Sequence, residues 1–116
     1  MMYQLTFQNG QVFNVDGFCL IGRNPDSSVV EGAKLLVVDD STKTVSKTHA
    51  ALAVTGNGQL LIEDLESTNG TFIAGDEEFE KQVINGDPVE IHENERVRLG
   101  DIYFDVIKIS DYTEAQ

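Results

Sequence analysis

Apolar residues in this chain recur at every second position in short runs, and glycine-containing turns cut the runs off. Side chains two apart share one face of an extended strand, so this period points to half-buried β-strands, and no long window carries helical spacing. Tyr3-Gln4-Leu5-Thr6-Phe7 and Gln11-Val12-Phe13-Asn14-Val15 alternate on either side of Gln8-Asn9-Gly10. Gly10 can take positive φ without strain, and the two segments are expected to pair as a hairpin. Residues 51–54 and 59–62 repeat the arrangement around Asn57-Gly58, and further Asn-Gly pairs stand at Asn69-Gly70 and Asn85-Gly86. Additional strands are expected at 19–22, 35–38, 89–91, 96–99 and 102–109. So many short strands with regular turns predict an all-β fold, a sandwich of two antiparallel sheets burying one face each.

The longer connections, 24–34, 39–48 and 75–81, are where a rigid β scaffold carries function. A chain of 116 residues suits one hydrophobic core. A single domain over 1–110 is therefore expected, with 111–116 a short C-terminal tail. No internal repeat or Pro-rich linker is present. No apolar run approaches the roughly eighteen residues of a spanning helix, and no signal-peptide pattern opens the chain. A soluble, cytoplasmic protein without membrane insertion is the expectation. Cys19 stands alone in the apolar run Phe18-Cys19-Leu20-Ile21, which makes it a buried thiol with no internal disulfide partner.

Twenty acidic residues against eight basic ones give a formal net charge of -12, which argues against nucleic acid as a partner. The balance is uneven. Arg23, Lys34, Lys43 and Lys47 lie in the first half, whereas 63–95 contain Lys81 as their only basic residue. An anion site therefore belongs near Arg23 and Lys47, while most carboxylates read as solvated charge.

Three segments at strand ends carry the chemistry: Ile21-Gly22-Arg23, Val45-Ser46-Lys47-Thr48-His49-Ala50, and Glu66-Ser67-Thr68-Asn69-Gly70-Thr71-Phe72. Arginine offers a permanent fork of donors for phosphate oxygens, lysine a second charge, and hydroxyls directed hydrogen bonds. Each has an ordinary alternative: Arg23 pairing with Asp26, Ser67 and Thr68 stabilising a turn, Gly70 permitting one. Ser46 and His49 also raise a nucleophile-and-base reading, but such a catalyst also needs an orienting acid and an oxyanion hole, and no Gly-x-Ser-x-Gly elbow is present. Asp39-Asp40 and Glu77-Glu78 lack metal-loop spacing, and no Gly-x-x-x-x-Gly-Lys phosphate loop is present. Neither cofactor nor metal is expected.

Taken in order, Gly-Arg, then Ser-x-x-His, then Ser-x-Asn-Gly-Thr resembles a forkhead-associated (FHA) domain. The resemblance extends to Leu65, to Val83-Ile84-Asn85-Gly86-Asp87, and to Val97-Arg98-Leu99-Gly100-Asp101 with Tyr103-Phe104, covering about residues 3–109. It implies an FHA-like sandwich with binding loops at one end and a non-catalytic module that binds phosphothreonine in Ser/Thr kinase signalling. Arg23 and Ser46 are then phosphate ligands, with Lys47 and Thr68 beside them, and Asn69 holds the peptide main chain. Gly22, His49 and Gly70 support the site structurally, His49 by bracing the two binding loops. The implied partner is a phosphothreonine-containing protein, either a Ser/Thr kinase substrate or the kinase itself. A phosphate-independent interaction domain on the same scaffold is the alternative reading.

Overall fold

The computed structural model describes residues 1–75 and 79–109. The expected tail, Thr113 within it, and the Glu77-Glu78 pair lie outside the described residues. Among the described residues eleven strands follow one another: β1 (Met2–Phe7), β2 (Val12–Val15), β3 (Phe18–Gly22), β4 (Lys34–Val37), β5 (Ala50–Val54), β6 (Leu60–Asp64), β7 (Thr71–Ala74), β8 (Glu80–Gln82), β9 (Val89–Ile91), β10 (Arg96–Leu99) and β11 (Ile102–Ile109). No described residue is helical, so none of the described chain forms a helix able to cross a membrane. One sheet has the order β2-β1-β11-β10-β7-β8 and the other β4-β3-β5-β6-β9. The two pack face to face as an all-β sandwich.

Alternation decides which side chains meet between the sheets. Ile102, Phe104 and Val106 of β11 are buried while Asp105 between them is exposed, and Leu60, Ile62 and Asp64 of β6 point inward past Leu61 and Glu63. The core joins Leu5, Phe7, Val97, Leu99 and Phe104 from the first sheet to Cys19, Ile21, Leu36, Leu52 and Ile62 from the second. Phe7 anchors an aromatic group, with ring centroids 4.8 Å from Phe104 and 5.6 Å from Phe13. Fully burying one such side chain contributes about 1.5–3 kcal/mol.

The hairpins β1–β2 and β5–β6 form as their alternation requires, antiparallel around Gly10 and Gly58, whose φ values are 95° and 86°. Gly70 and Gly86 also have positive φ, but their Asn-Gly turns carry the chain from one sheet to the other instead of closing hairpins. Two features depart from the sequence expectation. β7 and the exposed edge strand β8 were not anticipated, and β8 occupies part of the connection assigned to 75–81. The other is β4, which runs parallel to β3 in sheets otherwise built from antiparallel pairs. The 23–33 crossover permits this, because a parallel neighbour needs a return connection of such length.

Candidate anion-binding site at one end of the sandwich

The loops after β3, before β5, between β6 and β7, and between β10 and β11 are fastened together at one end of the sandwich. The first two lie side by side: Arg23 N donates to Ser46 O and Asn24 N to Lys47 O, both at 3.0 Å, and His49 N donates to Ile21 O at 2.8 Å. Gly22 makes that approach possible, since a Cβ there would stand 2.0 Å from Lys47 O. Arg23 then turns its side chain back, and Nε donates to Val45 O at 2.6 Å. One donor of the guanidinium is used, and its two Nη groups meet no protein acceptor among the described residues. Arg23 does not pair with Asp26.

Arg23 is also set apart by charge. Of the three arginines, Arg96 is paired with Asp105 and Arg98 with Glu80, while Arg23 has no carboxylate partner among the described residues. The exposed Lys47 has none either, and main-chain pairing with Asn24 places it beside Arg23.

Ser46 sits between two loops. Its Oγ accepts the Thr68 amide at 2.9 Å, so the hydroxyl proton remains available to a further acceptor. This contact brings Thr68 to Ser46 and leaves the exposed Thr68 side chain at the rim. The Asn69 side-chain amide donates to Thr44 O at 2.9 Å, leaving its carbonyl oxygen without a protein partner among the described residues. These hydrogen bonds thus bring together the loops that carry Arg23, Ser46, Lys47, Thr68 and Asn69.

His49 lies beneath them, fully buried. Nδ1 accepts the Ser46 amide at 3.0 Å, which places the ring proton on Nε2, where it donates to Gly70 O at 3.0 Å. The imidazole therefore ties the Ser46 loop to the Asn69-Gly70 loop. Burial holds its pKa below the ordinary value, against the opposing pull of the Gly70 carbonyl, Asp64 and Asp40. Because both ring nitrogens are engaged with main chain, neither is free to take the Ser46 hydroxyl proton, and the pair lacks the geometry of a nucleophile and base.

Asp64, which the sequence reading overlooked, organises the β6–β7 turn from inside. Its buried carboxylate accepts the Ser67 hydroxyl and the Thr71 hydroxyl at 2.6 Å each and the Ser67 amide at 3.1 Å. Ser67 Oγ in turn accepts the Gly70 amide at 3.0 Å. Ser67 is therefore a turn residue. The detectable signal was a charged residue in the inward phase of β6. Glu66 takes a positive φ of 54°, and its amide donates to Asn85 Oδ1 at 2.8 Å. Asp40, expected from the sequence to be solvated charge, instead performs a similar task in the loop before β5. Its carboxylate accepts the Val45 amide at 2.8 Å and is bonded by the amide and hydroxyl of Thr42, and these bonds hold its carboxyl below the usual range. Gly100 completes the frame: its amide donates to Gly70 O at 3.0 Å, and a Cβ there would lie 2.5 Å from Thr44 O.

The outward groups are two guanidinium nitrogens, an ammonium and two hydroxyls, all donors, on rigidly held backbone. Such a set can hold a tetrahedral oxyanion.

Comparison with known proteins agrees with this architecture. Among curated proteins there is no significant sequence match. Solved structures show the same fold at low identity. The FHA domain of CT664 protein from Chlamydia trachomatis is 23% identical, with TM-score 0.72 over 95% of this chain and 100% of that one. The FHA domain of human APLF, in complex with an XRCC1 bisphospho peptide, is 23% identical, with TM-score 0.71 over 94% and 100%. Mycobacterium tuberculosis EmbR, in complex with a low affinity phosphopeptide, is 22% identical, with TM-score 0.68 over 98% of this chain and 26% of that longer one. The sequence model of the FHA domain matches residues 19–100, a span that contains Arg23, Ser46, Thr68 and Asn69. The chain belongs to the FHA domain family.

Proposed function

We propose that this chain is a non-catalytic module that binds phosphothreonine-containing proteins, with Arg23, Ser46, Lys47 and Thr68 around the phosphate and Asn69 on the peptide main chain. The observation that carries the reading is Arg23: half-buried, tethered through Nε to Val45 O, without a carboxylate partner among the described residues, and beside a serine whose oxygen is already occupied by the Thr68 amide. Arg23 N donates to Ser46 O, so the two residues carry their remaining donors on adjoining backbone. A phosphate of nearly two negative charges satisfies those donors, whereas a neutral hydroxyl or amide would leave Arg23 uncompensated. The Asn69 carbonyl oxygen accepts a peptide N–H and fixes the direction of the ligand.

Lys47 supplies charge without a bidentate fork, so orientation of the phosphate rests on Arg23. Gly22, His49 and Gly70 support the site by letting the loops approach and by joining them. The setting is cytoplasmic Ser/Thr kinase signalling, and the partner is a kinase substrate or the kinase itself. A single FHA-like domain over 1–110 serves this role. A degenerate phosphothreonine peptide library, screened beside phosphoserine, phosphotyrosine and unphosphorylated versions, tests the ligand class. The phosphothreonine library is expected to be retained above the other three. Equal retention of the unphosphorylated library would reject the reading.

A further inference from the structure

Beyond Lys47 the surface opens into a cleft of about 440 Å³ lined by Asn24, Pro25, Asp26, Ser27, Lys47 and Thr48. Its two walls are fastened to each other: Asn24 N donates to Lys47 O at 3.0 Å and Asp26 N to Thr48 Oγ1 at 2.9 Å. The cleft, lined by Lys47 itself, is therefore held against the segment that carries Ser46 and adjoins the proposed phosphate site.

The charges in the cleft are unequal once a phosphate is bound. Asp26 forms a tight turn in which Oδ1 accepts the Ser28 amide at 2.9 Å and the Ser28 hydroxyl at 2.7 Å. Those bonds hold its carboxyl below the ordinary range, so it is ionised at neutral pH. Oδ2 meets no protein donor, and no lysine or arginine is paired with Asp26 among the described residues. Lys47 is the cleft's only cation among the described residues, and the proposed phosphate engages it. What remains is a carboxylate with one free oxygen, flanked by the hydroxyls of Ser27 and Thr48 and the side-chain amide of Asn24. These are oxygen acceptors around one negative charge, matched by a planar group rich in N–H donors.

We propose that this cleft selects a basic side chain, arginine before lysine, within about three residues of the phosphothreonine, a span of roughly 10 Å in an extended peptide. The inference rests on the phosphate-site reading above and names the ligand more narrowly. An acidic side chain in the same place meets Asp26 and a chain of net charge -12. The reaction that supplies the ligand is then phosphoryl transfer to a threonine by a kinase that accepts a basic residue close to its target.

The test is fluorescence anisotropy with an alanine-flanked phosphothreonine peptide in which a single arginine, or a single glutamate, is walked through the positions on both sides. One position is expected to tighten binding about twofold to fivefold with arginine, the scale of an exposed ion pair, and to weaken it with glutamate. Asp26→Asn keeps the Oδ1 acceptor of the Ser28 turn and removes the charge. It is expected to bind the alanine-flanked phosphopeptide at least as well as wild type and to lose the arginine preference. Phosphate-gated binding with no preferred position, or an arginine preference that survives Asp26→Asn, overturns this inference alone. Absence of phosphate-gated binding to the alanine-flanked peptide overturns the site reading and this inference with it.

Discussion

At the scale of single residues, His49 and Gly22 are the positions where local chemistry has the widest reach. Burial favours neutral His49 in the folded chain, whereas the unfolded chain takes up a proton near pH ~6.5. Below that pH the unfolded state binds more protons, so stability falls as pH drops from about 6.5 towards the depressed folded value, and it is unaffected by this group above it. Thermal melts between pH 7 and 5 should show that decline in wild type and a shallower one in His49→Asn. Identical slopes would show that His49 is not the group responsible. Gly22→Ala drives a methyl group into the Lys47 carbonyl and is expected to cost about 1–3 kcal/mol, because the loop has to shift. Gly17→Ala, with nothing within 4 Å of the added carbon, is the control and should melt like wild type. Gly22 was legible as a support residue because it matches a position that is architectural in the FHA domains the sequence resembles. Asp64 was not, since a carboxylate at a strand end is usually solvated and only the inward phase of β6 betrayed it.

Among the elements, those with a half-buried face announced themselves and those without one did not. β1, β2 and β11 alternate because one side faces the core, and their positions follow from the sequence within a residue or so. β8 reads Glu80-Lys81-Gln82, exposed throughout, and β7 follows a glycine with Phe72-Ile73-Ala74 in a row, so neither shows a period of two. Partner direction is equally silent, because the pattern of β4 is the same whether it runs parallel or antiparallel to β3. The Asn-Gly pairs supply positive φ in every case, yet close a hairpin in two and cross between sheets in the other two. The β6–β7 turn depends on the Asp64 carboxylate, which accepts three donors. Asp64→Ala strands donors inside the protein and is expected to cost about 1–3 kcal/mol or more. It should also weaken phosphopeptide binding, because Thr68 and Asn69 sit on that turn. Chemical denaturation of the variant beside wild type measures the first effect, and unchanged stability would remove Asp64 from the account.

Across the whole molecule, the excess of acidic residues sets the terms on which an anion can bind. On the proposed reading, a chain of net charge -12 attracts phosphate through the local cluster at Arg23 and Lys47, neither of which has a carboxylate partner among the described residues. Random duplex DNA should therefore not bind measurably at physiological salt, and micromolar binding in a mobility-shift assay would contradict that. Phosphopeptide affinity should fall as salt rises, since the attraction is short-ranged and screened. The most direct measurement is calorimetric titration of one phosphothreonine peptide and its unphosphorylated twin into wild type, Arg23→Ala and Ser46→Ala. Hydrogen bonds to charged groups contribute about 1.5–3 kcal/mol, so each variant should bind the phosphopeptide roughly tenfold to a hundredfold more weakly with its melting curve intact. The twin should not bind wild type measurably. Equal affinity for the two peptides, or undiminished binding by both folded variants, would contradict a phosphate site built on Arg23 and Ser46.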